Sequence, residues 1–189
     1  MSALVKDLLE FSQLLKSDLL IRYVNVTETV QAILTDLELA IEENAVSIKI
    51  SELPVIEGVS QQITQLFYNL IGNAIKFSRK DRKPVIRISS ELVQGEKLEE
   101  QLQGLSLAID YHHIRVEDNG IGFDPQHREQ IFEIFKRLHG HAAFTGTGIG
   151  LAMCRRIVEN HKGRIFAESK PDEGSVFHIL LPAIAESNV

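Results

Sequence analysis

Cysteine is almost absent from this chain of 189 residues. The single Cys154 excludes an internal disulfide framework and a zinc site made of several cysteines. Basic residues are outnumbered, with 20 Lys and Arg against 26 Asp and Glu, and the net charge is −6. The composition therefore offers no electrostatic basis for binding nucleic acid or an anionic membrane surface.

Long apolar runs and a signal peptide are also missing. Lys6 and Asp7 interrupt the first apolar stretch well before it reaches the length of a membrane span. We therefore expect a cytoplasmic chain without direct membrane contact, although the parent protein could itself be attached to a membrane.

Proline is scarce, and its five copies fall at the boundaries of the predicted elements. Residues 2–22 contain neither Gly nor Pro and predict a helix. An apolar seam on this helix predicts packing against a partner, for example a second copy of the chain; it consists of Val5, Leu8, Leu15 and Leu19. We expect two domains, a helical segment over 1–22 and a larger domain over 23–189.

Hydrophobic periodicity predicts the elements of the larger domain. The predicted helices cover 27–44, about 60–77 with Ser60 as N-cap, and 149–161. The predicted strands cover 46–50, 85–93, 106–118, 164–169 and 175–181. Gly95–Gly104 is predicted to be an extended hairpin loop, and 124–147 a mobile segment. These elements indicate an α/β two-layer sandwich, with a mixed sheet and helices on one of its faces.

Four polar residues share one face of the predicted helix that begins near Ser60. Gln65, Asn69, Asn73 and Lys76 follow one another at spacings of four, four and three residues. A solvated helix face is the alternative, and for Gln65 it stays open. For Asn73 and Lys76 it is disfavoured, because the glycine boxes downstream need a wall that faces phosphate. An Asn oxygen suits Mg²⁺, and a Lys one turn further on can meet a phosphate.

The first glycine box is the segment 118–122, Asp-Asn-Gly-Ile-Gly. Asp118 ends a predicted strand, and its carboxylate can accept a hydrogen bond from the amine of adenine. Gly120 and Gly122 would let a base lie against the backbone. An ordinary turn has the same sequence, so this box is ambiguous when it is considered alone.

The second glycine box is the segment 146–150, Gly-Thr-Gly-Ile-Gly, which Leu151 follows at the start of a predicted helix. Exposed amides at the start of a helix suit an anion, and the Thr147 hydroxyl could add a donor to those of Gly146, Gly148 and Gly150. No Gly-Lys-Ser/Thr follows, so the segment is not a Walker loop.

A short motif of two phenylalanines and an arginine, Phe132, Phe135 and Arg137, lies between the glycine boxes. Phe132 and Phe135 are either ordinary core residues or part of a hinged lid that closes over a nucleotide. With a closed lid, Arg137 could reach a phosphate; otherwise it is a surface arginine.

In this order, these motifs resemble the catalytic ATP-binding domain of sensor histidine kinases, within the superfamily of gyrase-, chaperone- and mismatch-repair-type ATPases. The motif from Asn69 to Ser78 is similar to the family's asparagine box, and the two glycine boxes and Phe132-x-x-Phe135-x-Arg137 are similar to its other boxes. The sequence around Arg137 most resembles that of phytochrome-like and hybrid sensor kinases. The resemblance implies the Bergerat ATP-binding fold and binding of Mg·ATP. It also implies that Asn73 holds the metal, that Lys76 and Arg137 meet phosphates, and that Asp118 reads adenine.

Asn69 separates a kinase from a hydrolase. The superfamily's ATPases have a Glu there as general base for water, and an amide cannot take that proton. The resemblance therefore implies transfer of the γ-phosphoryl group to a His. Magnesium and the positioning of the reactants would supply most of the rate acceleration.

None of the seven histidines has the sequence setting of the family's acceptor His. Residues 2–22 resemble the second helix of the family's dimerisation hairpin, so we expect the acceptor to lie on a missing part of that domain. The resemblance also implies a response regulator as partner and a homodimer for the full-length protein. Two alternatives stay open, an ATPase of the same superfamily and a degenerate module that binds a partner through residues 2–22.

Overall fold

The computed structural model describes residues 20–98, 104–138 and 146–184, together with positions 5, 9 and 12. The strands in these ranges are β1 (Arg22–Asn25), β2 (Ser47–Ile50), β3 (Val55–Gly58), β4 (Val85–Val93), β5 (Tyr111–Asp118), β6 (Arg164–Lys170) and β7 (Gly174–Pro182). The α-helices are α1 (Val26–Asp36), α2 (Glu38–Glu43), α3 (Ser60–Lys76) and α4 (Gly150–Asn160), and 3₁₀ turns form at Gly95–Lys97, Pro125–His127 and Gln130–Phe132. No helix in this described part is long and apolar enough to cross a membrane.

Five strands form one mixed sheet in the order β2-β4-β5-β7-β6. β2 and β4 are parallel, and the other neighbouring strands are antiparallel. β1 and β3 form a separate antiparallel pair. The α/β fold with a mixed sheet that the sequence predicts is confirmed.

The two faces of the large sheet differ because side chains alternate along each strand. On β5, Ile114 and Val116 are buried, whereas Arg115 between them is partly exposed. The buried face packs against α3 and α4 in one continuous core, to which α3 contributes Ile63, Leu66, Phe67, Leu70, Ile71, Ala74 and Ile75. Each fully buried Leu or Ile stabilises the fold by about 1.5–3 kcal/mol. This core fixes α3 and α4 over one face of the sheet. The first glycine box begins at the end of β5, and the second leads into α4.

Capping differs between the first helix and α3. Asn25 caps α1, since its side chain accepts a hydrogen bond from the Glu28 amide. The prediction of Ser60 as N-cap is wrong, because Val59 occupies that position and has no capping side chain. Instead the Val59 amide donates to Nε2 of His161 at 2.9 Å, and this bond joins the start of α3 to the end of α4.

Several predicted boundaries are wrong. The helix predicted over 27–44 is two helices, because the backbone leaves the helical region at Leu37. The strand predicted from 106 begins at Tyr111, whose hydroxyl accepts a hydrogen bond from the Ser106 amide and so holds 106–110 as a turn. The β1–β3 pair was not predicted, because each strand has only four residues and its partner is distant in sequence.

Most of the helix predicted over 2–22 lies outside the described residues. Val5, Leu9 and Ser12, which are described, are helical and exposed. The predicted end at 22 is wrong, since Arg22 begins β1. Residues 99–103 of the predicted hairpin loop and 139–145 of the predicted mobile segment also lie outside the described residues.

Candidate nucleotide-binding site

A cavity of about 330 Å³ opens between α3, the end of β5, β7 and the two glycine boxes. Its lining includes ten of the residues that the sequence analysis selects: Asn73, Lys76, Asp118, Gly122, Arg137, Gly146, Thr147, Gly148, Gly150 and Leu151. Segments that are far apart in sequence therefore meet around one space, and its size falls in the usual range for small-molecule sites.

Asp118 is the acidic residue of this lining. Its carboxylate accepts hydrogen bonds from the backbone amides of Gly120, at 2.8 Å, and of Ser175. Burial raises the pKa of Asp118 to about 6, and these two amides oppose that shift. The carboxylate is thus a nearly buried acceptor at the end of β5, placed where an amino group in the cavity could donate to it.

The first glycine box packs against the turn between β6 and β7. Gly122 has a φ of 61°, and a Cβ there would lie 2.1 Å from the carbonyl oxygen of Lys170. The Asp172 amide donates to the Ile121 carbonyl at 2.7 Å, and the Phe123 amide donates to Oγ of Ser169 at 2.8 Å. Only glycine fits at position 122, because any side chain would separate the box from this turn.

The second glycine box leads into α4 and supports the segment 133–138. α4 begins at Gly150 without a side-chain cap, and Gly150 and Leu151 line the cavity. Gly148, with a φ of 77°, accepts a hydrogen bond from the Phe135 amide at 3.0 Å. The start of α4 thus offers backbone amides and a positive helix dipole end to the cavity.

Three cationic residues line the same cavity, Lys76 from α3 and Lys136 and Arg137 from the segment before the second glycine box. Burial lowers the pKa of Lys76, and the positive charge of Arg137 lowers it further. The Lys76 ammonium lies 4.6 Å from the centre of the Phe77 ring. An anion bound among these cations would relieve their mutual repulsion.

Comparison with known proteins identifies the family. The family described as histidine kinase-, DNA gyrase B-, and HSP90-like ATPase matches residues 58–185. The chain belongs to this family. The resemblance drawn from the asparagine and glycine boxes is therefore confirmed, and the cavity lies within the matched ATPase domain.

The curated relatives of this ATPase domain include phytochrome-like proteins. The phytochrome-like protein Cph1 of Synechocystis sp. is 37% identical over 96% of this chain and 22% of its own length. Cyanobacterial phytochrome B of Nostoc sp. is 38% identical over 96% of the chain and 22% of its own length. The adaptive-response sensory kinase SasA of Thermosynechococcus vestitus is 34% identical over 69% of the chain and 30% of its own length. The chain spans about a fifth of the phytochrome-like proteins that it matches.

Solved structures share the fold. ShkA in complex with AMPPNP is 23% identical, with a TM-score of 0.75 over 99% of this chain and 37% of that one. The mycobacterial sensor histidine kinase MprB is 22% identical, with a TM-score of 0.66 over 86% of this chain and 97% of that one. Histidine kinase ThkA in complex with the response regulator TrrA is 23% identical, with a TM-score of 0.67 over 98% of this chain and 48% of that one.

Four selected residues do not line the cavity of the ATPase domain: Asn69, Gly120, Phe132 and Phe135. The Asn69 amide donates to the Gly150 carbonyl at 3.2 Å, and its oxygen accepts from Nε2 of Gln65 at 3.1 Å. Asn69 therefore joins α3 to the start of α4, next to the cavity. Gly120 lies behind the wall and supports Asp118 through its amide.

The two phenylalanines of the motif lie in different environments. Phe132 is a core residue, 3% exposed, with the Arg155 guanidinium stacked 4.3 Å above its ring. Phe135 is 57% exposed and has a φ of 64°. The core alternative thus describes Phe132, whereas Phe135 lies on the surface beside the second glycine box.

Sequence reasoning missed part of the lining, namely Ile121, Phe123, Ile131, Lys136, Leu138, Ser175 and Phe177. Ser175 pairs directly with Asp118 across β5 and β7, and Phe177 pairs with Val116. These neighbours depend on strand register, which no local motif encodes. Lys136 lay directly beside Arg137 in the sequence and could have been selected for its charge.

Proposed function

We propose that this chain is the ATP-binding catalytic part of a sensor histidine kinase. It binds Mg·ATP in the cavity, and the γ-phosphoryl group passes to a histidine of a dimerisation domain. The observation that carries this proposal is the combination of the partly buried Asp118 carboxylate with three cationic residues and the start of α4 around one cavity. The carboxylate suits an exocyclic amine, and the cations suit a polyphosphate. A nucleotide such as ATP carries both groups in one molecule.

Asp118 accepts the hydrogen bond of the adenine amine in this proposal. Apolar side chains beside it cover the two faces of the base, chiefly Ile121, Phe123 and Phe177. Lys76 and Arg137 contact the phosphates, and the amides of the second glycine box face the polyphosphate.

Asn73 fits the role of magnesium ligand. It lines the cavity on the same helix as Lys76, and its amide oxygen is the hard ligand that Mg²⁺ prefers. When bound, the ion neutralises charge that develops on the phosphates. The protein's own groups hold and orient the nucleotide, so that the acceptor nitrogen can attack the γ-phosphorus in line with the departing ADP oxygen.

Asn69 supports a kinase over a hydrolase of the same family. Its amide is engaged on both sides, with Gly150 and with Gln65, and it carries no group that can accept a proton from water. Water in the cavity therefore has no base at this position.

The proposed partners follow from the relatives. We propose that the protein forms a homodimer, transfers its phosphoryl group onward to a response regulator, and acts in the cytoplasm. The chain would then consist of a catalytic domain over 23–189, preceded by the end of a dimerisation hairpin over 1–22.

Calorimetric titration with a non-hydrolysable ATP analogue tests the proposal, with and without Mg²⁺ and beside Asp118→Asn. We expect magnesium-dependent binding that the substitution removes, and no stable radiolabel on the chain from γ-labelled ATP. Absence of binding would favour the partner-binding module, and steady phosphate release without an acceptor would favour the ATPase.

A further inference from the structure

The cavity lining carries more positive than negative charge. The lining holds Lys76, Lys136 and Arg137 against the single carboxylate of Asp118. Lys76 and Arg137 stand at named positions of the motifs that the resemblance covers, whereas Lys136 stands at an unspecified position of the motif Phe132-x-x-Phe135-x-Arg137. Its position beside the phosphate-facing residues nevertheless gives it access to the same ligand.

The backbone of Lys136 is held in place. Its amide donates to the Glu133 carbonyl at 3.2 Å, which closes a turn. A Cβ at Gly148 would lie 3.1 Å from the Lys136 carbonyl oxygen, so the second glycine box packs directly against this residue. The preceding Phe135 is bonded to the same glycine. The base of the Lys136 side chain therefore lies at the cavity wall, and a lysine stem is long and flexible enough to bring its ammonium to a ligand there.

The Lys136 ammonium has a weak internal partner. It lies 4.0 Å from the Glu133 carboxylate, and the two side chains are 41% and 60% exposed. An ion pair at this distance between exposed side chains contributes little to stability. A polyphosphate carries more charge than one carboxylate and presents several acceptor oxygens, so it can displace Glu133.

We propose that Lys136 is a further phosphate-binding residue of the nucleotide site and that Glu133 competes with the nucleotide for it. This inference rests on the proposed function and deepens it. The lysine selects nucleotides with a polyphosphate over nucleosides, and the glutamate weakens that selection by holding the ammonium when the cavity has no ligand.

The two partners then have opposite effects on affinity. Lys136→Gln removes a cation that contacts the ligand and should weaken ATP binding about fivefold. Glu133→Gln removes the competitor and should tighten ATP binding about twofold to fivefold. Lys136→Arg keeps the charge and should restore most of the affinity. A purely structural role of the turn would not produce changes of opposite sign.

The test measures the affinity of the whole chain for ATP, ADP and adenosine by calorimetry, for the unchanged chain and the three variants. We expect the changes with ATP and ADP, and adenosine affinity unchanged by Lys136→Gln. The matched control is the pair Lys170 and Glu173, the same two residue types at the same separation, on the β6–β7 turn outside the cavity lining. Lys170→Gln and Glu173→Gln should leave all three affinities unchanged.

The outcomes separate the two proposals. If the unchanged chain binds ATP and Lys136→Gln binds it equally well, the role of Lys136 is wrong while the proposed function stands. Equal weakening of ATP and adenosine would also overturn it, because that result indicates a general structural change. If the unchanged chain binds neither ATP nor ADP, the proposed function fails and this inference fails with it.

Discussion

The two glycine boxes contact their surroundings in different ways. The first lies against the β6–β7 turn, where the backbone of Gly122 comes so close to Lys170 that a Cβ would stand 2.1 Å from its carbonyl oxygen. The second contacts the segment 133–138 through a backbone hydrogen bond from Phe135 to Gly148 and through packing of Gly148 against Lys136, and it contacts α3 through the Asn69 side chain. Both boxes are held by hydrogen bonds and backbone packing, but the packing is tighter around the first, since a Cβ at Gly148 would stand 3.0 Å from its nearest neighbour.

This difference matches what each box has to present. The first supports Asp118, a partly buried carboxylate whose acceptor atoms must keep their place for recognition of a base. The second lies between the start of α4 and two cationic side chains, and long cationic stems adjust to a phosphate without a rigid frame. The glycine motifs therefore look alike in the sequence but have different mechanical roles.

Alanine in the two boxes gives the largest expected effects and tests the comparison directly. In Gly122→Ala the alanine would have a left-handed φ, and its Cβ would overlap the backbone of Lys170. The substitution should therefore lower the free energy of unfolding by about 3 kcal/mol or more. Gly148→Ala has a similar φ, but its Cβ would lie 3.0 Å from its nearest neighbour, and the loss should be about 1–2 kcal/mol.

Chemical denaturation measures both changes, with Gly72→Ala as control. Gly72 lies inside α3, and a Cβ there meets nothing within 4 Å, so alanine should stabilise the chain by about 0.5–1 kcal/mol. Equal losses for Gly122→Ala and Gly148→Ala would contradict the stated difference between the boxes.

The pH dependence of ATP affinity should be the next largest effect. Asp118 has a pKa of about 6, and once it is protonated it is a weaker acceptor for the adenine amine and carries an O–H donor of its own. ATP affinity should therefore fall by about tenfold between pH 7 and pH 5 as the carboxyl is protonated. Titration across this range checks it, and Asp118→Asn should not show this pH-dependent step.

The same carboxyl has the opposite effect on stability. Because the folded pKa is raised above the usual 3.8, the folded state holds a proton more tightly than the unfolded chain between about pH 4 and 6. The contribution of Asp118 to stability therefore decreases as the pH rises through this window, while binding improves. If the ATP affinity of the unchanged chain did not change with pH, Asp118 would not be the residue that recognises the base.

The smallest expected effect concerns Phe135, at the edge of the second glycine box. Its φ of 64° is unfavourable for an aromatic residue, and its ring is 57% exposed and so loses little burial on removal. Phe135→Asn should stabilise the chain by about 0.5 kcal/mol, because Asn tolerates this conformation better. Thermal unfolding measures the change; a clear loss of stability would mean that the ring itself supports the segment.

Local sequence patterns were sufficient to find the long elements, although not to place the start of β5 or the break between α1 and α2. The apolar spacing in α3 and α4 and the alternation in β4 and β5 follow from burial of one face, which the order of residues encodes directly. The short strands β1 and β3 were missed, because four residues carry too little periodicity and their pairing joins distant segments.

The sequence by itself determined the family and the residues that line much of the cavity, because close approach to a ligand requires glycine and recognition requires particular polar groups at set spacings. Only the tertiary structure decided which neighbours complete the site. Register across β5 and β7 places Ser175 opposite Asp118, packing buries Phe132 while exposing Phe135, and the second glycine box holds Lys136 at the cavity wall. These relations depend on contacts between segments that are distant along the chain, and such contacts form only when the core brings the segments together.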